Sequence, residues 1–276
     1  MEIRYSRDPQ SFIRMSTAEI REEFLVDDLF VPGKIKLVYS NVDRVIIGSA
    51  VPTNQPLSLE AGAELRAKYF AQRRELGVFN IGGQGSIIVD GHEYGMAAQE
   101  MLYIGRGSQA ISFSSADVRQ PARFYIVSLP AHKEYPTTHI PKAQANRIEA
   151  GSKEAANART IYQYIYEGGV PSCQLVIGFT ELAPGSVWNT MTAHTHERRS
   201  EVYLYFNLTG DNVVFHLMGD PHETRHIVVR DGQAVISPSW SIHAGAGTSN
   251  YNFVWAMGGE NQAFDDMDPA PLDQVA

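Results

Sequence analysis

The sequence predicts a mainly β protein made of two similar halves, with a few short helices. Three observations lead there. Short runs of β-branched and aromatic residues recur along most of the chain, separated by Gly-rich turns, as in a sandwich or barrel. Two distant segments echo each other: Arg73-Arg74-Glu75 with Leu76-Gly-Val-Phe-Asn80, and Arg198-Arg199-Ser-Glu201 with Val202-Tyr-Leu-Tyr-Phe-Asn207. A His-x-His pair, His194 and His196, precedes the strand-like run Val202–Phe206, where a two-residue spacing puts side chains on one face.

Ser16-Thr-Ala-Glu19 matches a capping box, and Ile20, Phe24 and Leu25 form an apolar face behind it, which predicts a helix over 17–25. Lys36–Ser40 and Arg44–Val51 read as strands, and 58–70 as a helix or an irregular excursion. From Leu76 the pattern is β: Phe79 onward, Ser86–Val89, an Asp90-Gly91 turn, Glu100–Gly105, Ala110–Ser114 and Arg123–Ser128. Residues 131–159 carry few large apolar side chains and mark the boundary. The expected halves are therefore 1–140, without metal ligands, and 141–276, which binds metal. Strands resume at Thr160–Ile165 and Cys173–Thr180, and Asp231-Gly232 reads as a hairpin turn.

A length of 276 residues and a hydrophobic fraction of 43% suit a packed core of one large or two ordinary domains. A net charge of −8 without a concentrated basic run argues against a nucleic-acid surface. No apolar run approaches the roughly 20 residues of a membrane span, and the amino terminus lacks the apolar core of a signal peptide. The single cysteine, Cys173, forms no internal disulfide, which fits a reducing cytoplasm.

Glu201 follows His196 by five residues, and His243 lies beyond Gly232-Gln-Ala-Val-Ile-Ser-Pro. Three imidazoles and one carboxylate make a first shell for a divalent transition metal. Setting Glu75 against Glu201 puts Lys68 and Phe70 opposite the two histidines, and setting Gly105 against Pro238 puts Ala110 opposite His243. On that alignment the first half has no ligands, so the metal site belongs wholly to the second.

Gly185, His194, His196, Glu201 and Gly210, followed by Gly232, Pro238 and His243, resemble the two motifs of the cupin superfamily. Gly185 lies further from His194 than usual, and Trp240 replaces the usual second glycine, which bears on the turns more than on the ligands. The implied fold is a bicupin: two double-stranded β-helix barrels from an internal duplication. Trp188-Asn-Thr-Met, His194-Thr-His-Glu-Arg-Arg, Glu223-Thr-Arg-His and Gly259-Glu-Asn-Gln-x-Phe-Asp-Asp-Met-Asp are similar to the bacterial 5-keto-4-deoxyuronate isomerase family. Glu23-Phe-Leu-Val and Arg73-Arg-Glu-Leu-Gly-Val extend the resemblance over nearly the whole chain. It implies one Zn2+ per chain on His194, His196, Glu201 and His243. It also implies a homohexamer and a uronate substrate derived from pectin. The implied reaction interconverts 5-dehydro-4-deoxy-D-glucuronate and 3-deoxy-D-glycero-2,5-hexodiulosonate.

Such an isomerisation moves a proton between adjacent carbons, which a Lewis-acidic metal assists and a base must carry out. If Glu201 faces inward, Tyr203 and Tyr205 do too. Tyr203 is one candidate for the base, with packing of the barrel as its alternative role; His226 is the other. Strand alternation puts one of Arg225 and His226 inward. Arg225, Arg198 and Arg199 are candidates to hold the substrate carboxylate, a surface salt bridge being the alternative for Arg198 and Arg199. Trp188 and Trp240 read as pocket wall or core. Three other functions fit the motifs: a 5-deoxy-glucuronate isomerase of inositol breakdown, a metal-dependent dioxygenase, and a non-catalytic sugar-acid-binding cupin.

Overall fold

A computed structural model describes all residues 1–276. The chain forms two compact units, neither of them one continuous stretch. The first holds Met1–Arg4, Asp28–Ala145 and Tyr164–Val176; the second holds Tyr5–Asp27, Asn146–Gln163 and Ile177–Ala276.

Each unit has a seven-stranded and a four-stranded sheet. In the first unit the larger sheet runs Glu2–Arg4, Ile35–Ser40, Ile46–Ala50, Phe124–Pro130, Arg74–Asn80, Met101–Ile104, Thr138–Ile140. Its smaller sheet runs Leu57–Ser58, Ile111–Ser115, Gly85–Val89, His92–Met96. In the second unit the larger sheet runs Asn146–Ala150, Arg159–Ile165, Val176–Leu182, Asn252–Gly259, Arg199–Phe206, Gln233–Ser237, Leu25–Val26. The smaller one runs Trp188–Asn189, Ile242–Gly247, Val214–Asp220, Glu223–Val229. The same strand order appears twice, as a duplication requires.

The capping box is real. The Ser16 side chain accepts from Glu19 N and the Glu19 carboxylate accepts from Ser16 N, starting the helix Thr17–Phe24. A second helix, Pro9–Phe12, capped by Asp8, has too few residues for periodicity to reveal it. Residues 58–70 form no α-helix, only the 3-10 turn Ala63–Leu65 before a second one at Phe70–Gln72. The stretch read as a boundary contains two sheet-edge strands, Thr138–Ile140, where only Ile140 is buried, and Asn146–Ala150, which is mostly exposed. Asp90-Gly91 turns between paired strands with both residues at positive φ. Asp231-Gly232 does not make the expected hairpin. Glu223–Val229 before it pairs with Val214–Asp220, and Gln233–Ser237 after it pairs with Arg199–Phe206, so this turn carries the chain from one sheet to the other.

The two interiors differ. In the first unit, Leu76 and Val78 share a core with Ile87, Ile111, Phe113, Phe124 and Ile126. Each such side chain contributes about 1.5–3 kcal/mol on burial, so this barrel is filled by apolar packing. In the second unit the inward positions are Glu201, Tyr203, Tyr205, His216 and His243, all buried.

This contrast corrects the alignment of the halves. Leu76 and Val78 face inward, so the adjacent Glu75 faces the other side of its sheet. There its carboxylate accepts from Tyr103 Oη (2.8 Å) and from the backbone N–H of Cys173 (2.7 Å), Gln174 (2.8 Å) and Leu175 (3.0 Å). The inward counterpart of Glu201 is Arg74, with Leu76 opposite Tyr203 and Val78 opposite Tyr205.

Candidate metal centre

Four side chains converge inside the second unit: His194, His196, Glu201 and His243, with one ligand atom of each lying within 4.8 Å of the others. Each arrives from a defined element. His194 begins a two-residue strand paired with Asp268–Pro269. His196 follows it, held by His196 N donating to Ser239 O (3.2 Å). Glu201 lies on Arg199–Phe206, between Ser237 and Met257. The turn after Ser237, closed by Ser241 N donating to Pro238 O, returns the chain to Ile242–Gly247, which carries His243.

The donor set fits a metal ion. His243 Nε2 is 3.1 Å from His194 Nε2 and 3.1 Å from Glu201 Oε2, and His196 Nε2 is 3.3 Å from the same oxygen. Ligands 2.0–2.2 Å from a tetrahedral centre stand roughly 3.3–3.5 Å apart, so little movement is needed. The opposite ring nitrogens are tied to backbone. His196 Nδ1 is 2.7 Å from Asp266 O and His243 Nδ1 is 3.3 Å from Ser241 O, while His194 has a backbone hydrogen bond to Thr192. A carbonyl only accepts, so Nδ1 carries the proton and each Nε2 lone pair points inward. His196 Nε2 is buried without a hydrogen-bond partner. Burial, then the neighbouring His196, pushes His194 down to about 4; burial and the other two imidazoles hold His243 well below its ordinary value. Neutral imidazoles are the form that binds metal.

Around the cluster lies a cavity of about 180 Å³. Phe253, Trp255, Met257 and Phe264 supply apolar wall; Arg159, Thr180, Thr190 and Tyr203 supply polar groups. The Tyr203 hydroxyl is 3.0 Å from Thr190 Oγ1. Burial, and behind it the Glu201 carboxylate, holds the Tyr203 phenol well above its ordinary value. Arg159 donates from Nη1 to Asn157 O (2.9 Å) and has no carboxylate partner. Deeper in the barrel, Tyr205 Oη and His216 Nδ1 are 2.7 Å apart, and burial pushes His216 down to about 3.

The other sequence-predicted residues lie elsewhere. His226 is exposed, on the outward face of Glu223–Val229, with its ring against Phe215 at 5.8 Å. The inward histidine of the neighbouring strand Val214–Asp220 is His216, which the sequence reading missed; only its place between Val214 and Met218 marks it. Arg225 shares the inward register through Met218 with His243, yet its guanidinium donates to Ile13 O (2.7 Å) and does not line the cavity. Arg199 is buried, donating to Ala263 O (2.5 Å) and Asp266 O (2.7 Å), with Nη2 also 3.3 Å from His196 Nδ1. Arg198 pairs with Asp266 and Asp268. Together these fasten 261–268 over His196. Trp240 packs against Phe12 (5.3 Å) and Phe24, away from the cavity. Arg159 was also missed, because nothing in its local sequence separates it from other strand arginines.

Comparison with known proteins agrees with this architecture. A chain described as a 4-deoxy-L-threo-5-hexosulose-uronate ketol-isomerase from Lachnoclostridium phytofermentans is 57% identical over 272 residues, 99% of each chain. One of the same name from Caldicellulosiruptor bescii is 52% identical over 275 residues, all of both chains. An IolB-like protein from Salmonella typhimurium superposes with a TM-score of 0.70 at 12% identity, covering 87% of this chain and 94% of that one. Bacillus subtilis oxalate decarboxylase superposes at 0.56 and 10% identity, covering 79% and 70%. At such identities these two speak for the cupin fold alone. The profile of the KduI/IolB family matches residues 27–272, and with full-length relatives above 50% identity the chain belongs to that family.

Proposed function

We propose that the chain is a metal-dependent ketol-isomerase of 4-deoxy-L-threo-5-hexosulose uronate, acting in uronate breakdown. One observation supports the metal dependence above the rest: three inward Nε2 lone pairs and a carboxylate meet at the wall of a cavity that also holds one unpaired arginine. The relatives' shared name supports the substrate. Zn2+ is the proposed ion, held by His194, His196, Glu201 and His243, because nitrogen and oxygen donors suit it and the reaction has no net redox change. When bound, such an ion polarises a carbonyl oxygen as a Lewis acid.

The chain's own residues take the other tasks. Arg159 holds the substrate carboxylate with the N–H groups not used on Asn157. Tyr203, with Thr190 beside it, holds a proton at the substrate oxygens. Phe253, Trp255 and Phe264 exclude water. We also propose a homohexamer and a cytoplasmic location. The resemblance in the sequence supports the first, and a single cysteine, which can form no internal disulfide, supports the second. Mass photometry and cell fractionation test them.

The deciding experiment supplies purified, metal-analysed protein with the keto-uronate and follows ketose formation and oxygen uptake. Isomerisation without oxygen uptake, abolished by chelation, is expected; absence of turnover with every divalent metal would overturn the reading. Arg159→Met is expected to raise KM roughly 10- to 100-fold, the worth of a charged hydrogen bond, with kcat nearly unchanged.

A further inference from the structure

The first unit has a cavity of its own, of about 320 Å³, at the inward position where the second unit carries Glu201. Arg74 stands there. It is only 6% exposed, and no carboxylate pairs with it. Its hydrogen bonds go to neutral oxygens: Nε to Ser128 Oγ (3.1 Å), and Nη2 to Ser128 O (2.8 Å) and Arg44 O (2.5 Å). Nη1 makes none, and the guanidinium faces the Tyr39 ring at 5.9 Å. Burial pushes its pKa down to about 10, so it remains charged at neutral pH.

A buried cation without a countercharge is costly to a fold, and chains keep one where something pays it back. The same cavity is lined by two more arginines, Arg44 and Arg73. Its one acid, Glu64, is taken by the Met1 ammonium at 3.1 Å. Leu65, Phe70 and Pro130 add apolar wall beside Tyr39, with room for a carbon skeleton.

We propose that this cavity binds a small organic anion, a carboxylate or phosphate head on a skeleton of sugar-acid size, with Arg74 as its anchor and Arg44 at its mouth. The two halves of the duplication then handle anions differently. One draws its positive charge from a bound ion and Arg159; the other builds it from three arginines. The proposal does not depend on what the histidine cluster holds.

The test is calorimetric titration of the purified, metal-loaded protein with inorganic phosphate and, separately, with D-galacturonate. D-Galacturonate is titrated also into His243→Ala, so that binding at the histidine cluster is removed. The expected result is one saturable event per chain, with Kd of about 1 mM or tighter, for at least one probe. Arg74→Met should abolish it while metal content and circular dichroism stay the same. Arg44→Gln, at an exposed position, should weaken it at least about fivefold, a loss within the range of one charged contact. Binding of phosphate alone assigns a phosphate head; competition between the probes assigns a shared oxyanion site. No binding of either probe at about 10 mM, or a folded Arg74→Met with unchanged affinity, would overturn the proposal. If Arg74→Met fails to fold, Arg44→Gln with Arg73→Gln decides, and unchanged affinity there overturns it too.

Discussion

Nε2 of His243 and Nε2 of His194 face each other at 3.1 Å, although each ring's other nitrogen is tied to a backbone carbonyl. Two lone pairs at that distance repel, and Glu201 Oε2 adds a third acceptor at 3.1 Å from His243. A divalent cation turns all of these contacts from repulsive to attractive. His243→Ala is therefore expected to weaken metal binding by more than the roughly 10- to 100-fold typical of losing an outer hydrogen-bond partner. Elemental analysis after dialysis measures it. Chelation should lower the melting temperature of the native protein and leave that of His243→Ala unchanged.

Glu201 and Glu75 are both buried carboxylates near the start of corresponding strands, on opposite faces. Their substitutions should separate cleanly. Glu201→Gln keeps the shape and a weak oxygen ligand, so metal affinity falls and excess zinc restores part of the activity. Full occupancy with no turnover would make Glu201 a base instead of a ligand. Glu75→Gln should keep metal and activity but cost about 2–3 kcal/mol of stability, because three backbone N–H groups lose a charged acceptor. Differential scanning calorimetry reads the second effect.

Arg199 provides a third test. If it positions the 261–266 segment through the carbonyls of Ala263 and Asp266, Arg199→Met lowers metal affinity about 10- to 100-fold and leaves KM unchanged at saturating metal. A raised KM with full metal occupancy would instead make it a substrate contact.

Tyr203→Phe removes the hydroxyl facing Thr190 and keeps the ring that packs against Phe253 at 5.1 Å. A proton-transfer role predicts a fall in kcat of about 10²- to 10⁴-fold at unchanged metal content. Unchanged kcat would leave Tyr203 as barrel packing.

The His-x-His pair was legible because β alternation gives that spacing a meaning, and Glu201 and His243 because they flank readable strands and turns. The same alternation misled where its phase was unknown. One residue of register moves Glu75 to the outer face and brings Arg74 inward, and Arg73-Arg74-Glu75 offers no local mark of which is correct. His226 and His216 show the same limit: both lie on strands, and only the pairing with Ile242–Gly247 shows which one points in. The strands Thr138–Ile140 and Asn146–Ala150 went unread because edge strands need little apolar sequence.

The carbonyl of Asp266 that orients His196, together with the hold of Arg198 and Arg199 on 261–268, has a consequence for synthesis. A ribosome makes all four members of the cluster before it makes the segment that fixes the ring of His196. A nascent chain stalled after His243 would own every donor atom and still lack an oriented site. An ion held by this cluster would therefore reach full affinity only once residues 261–268 have closed over His196.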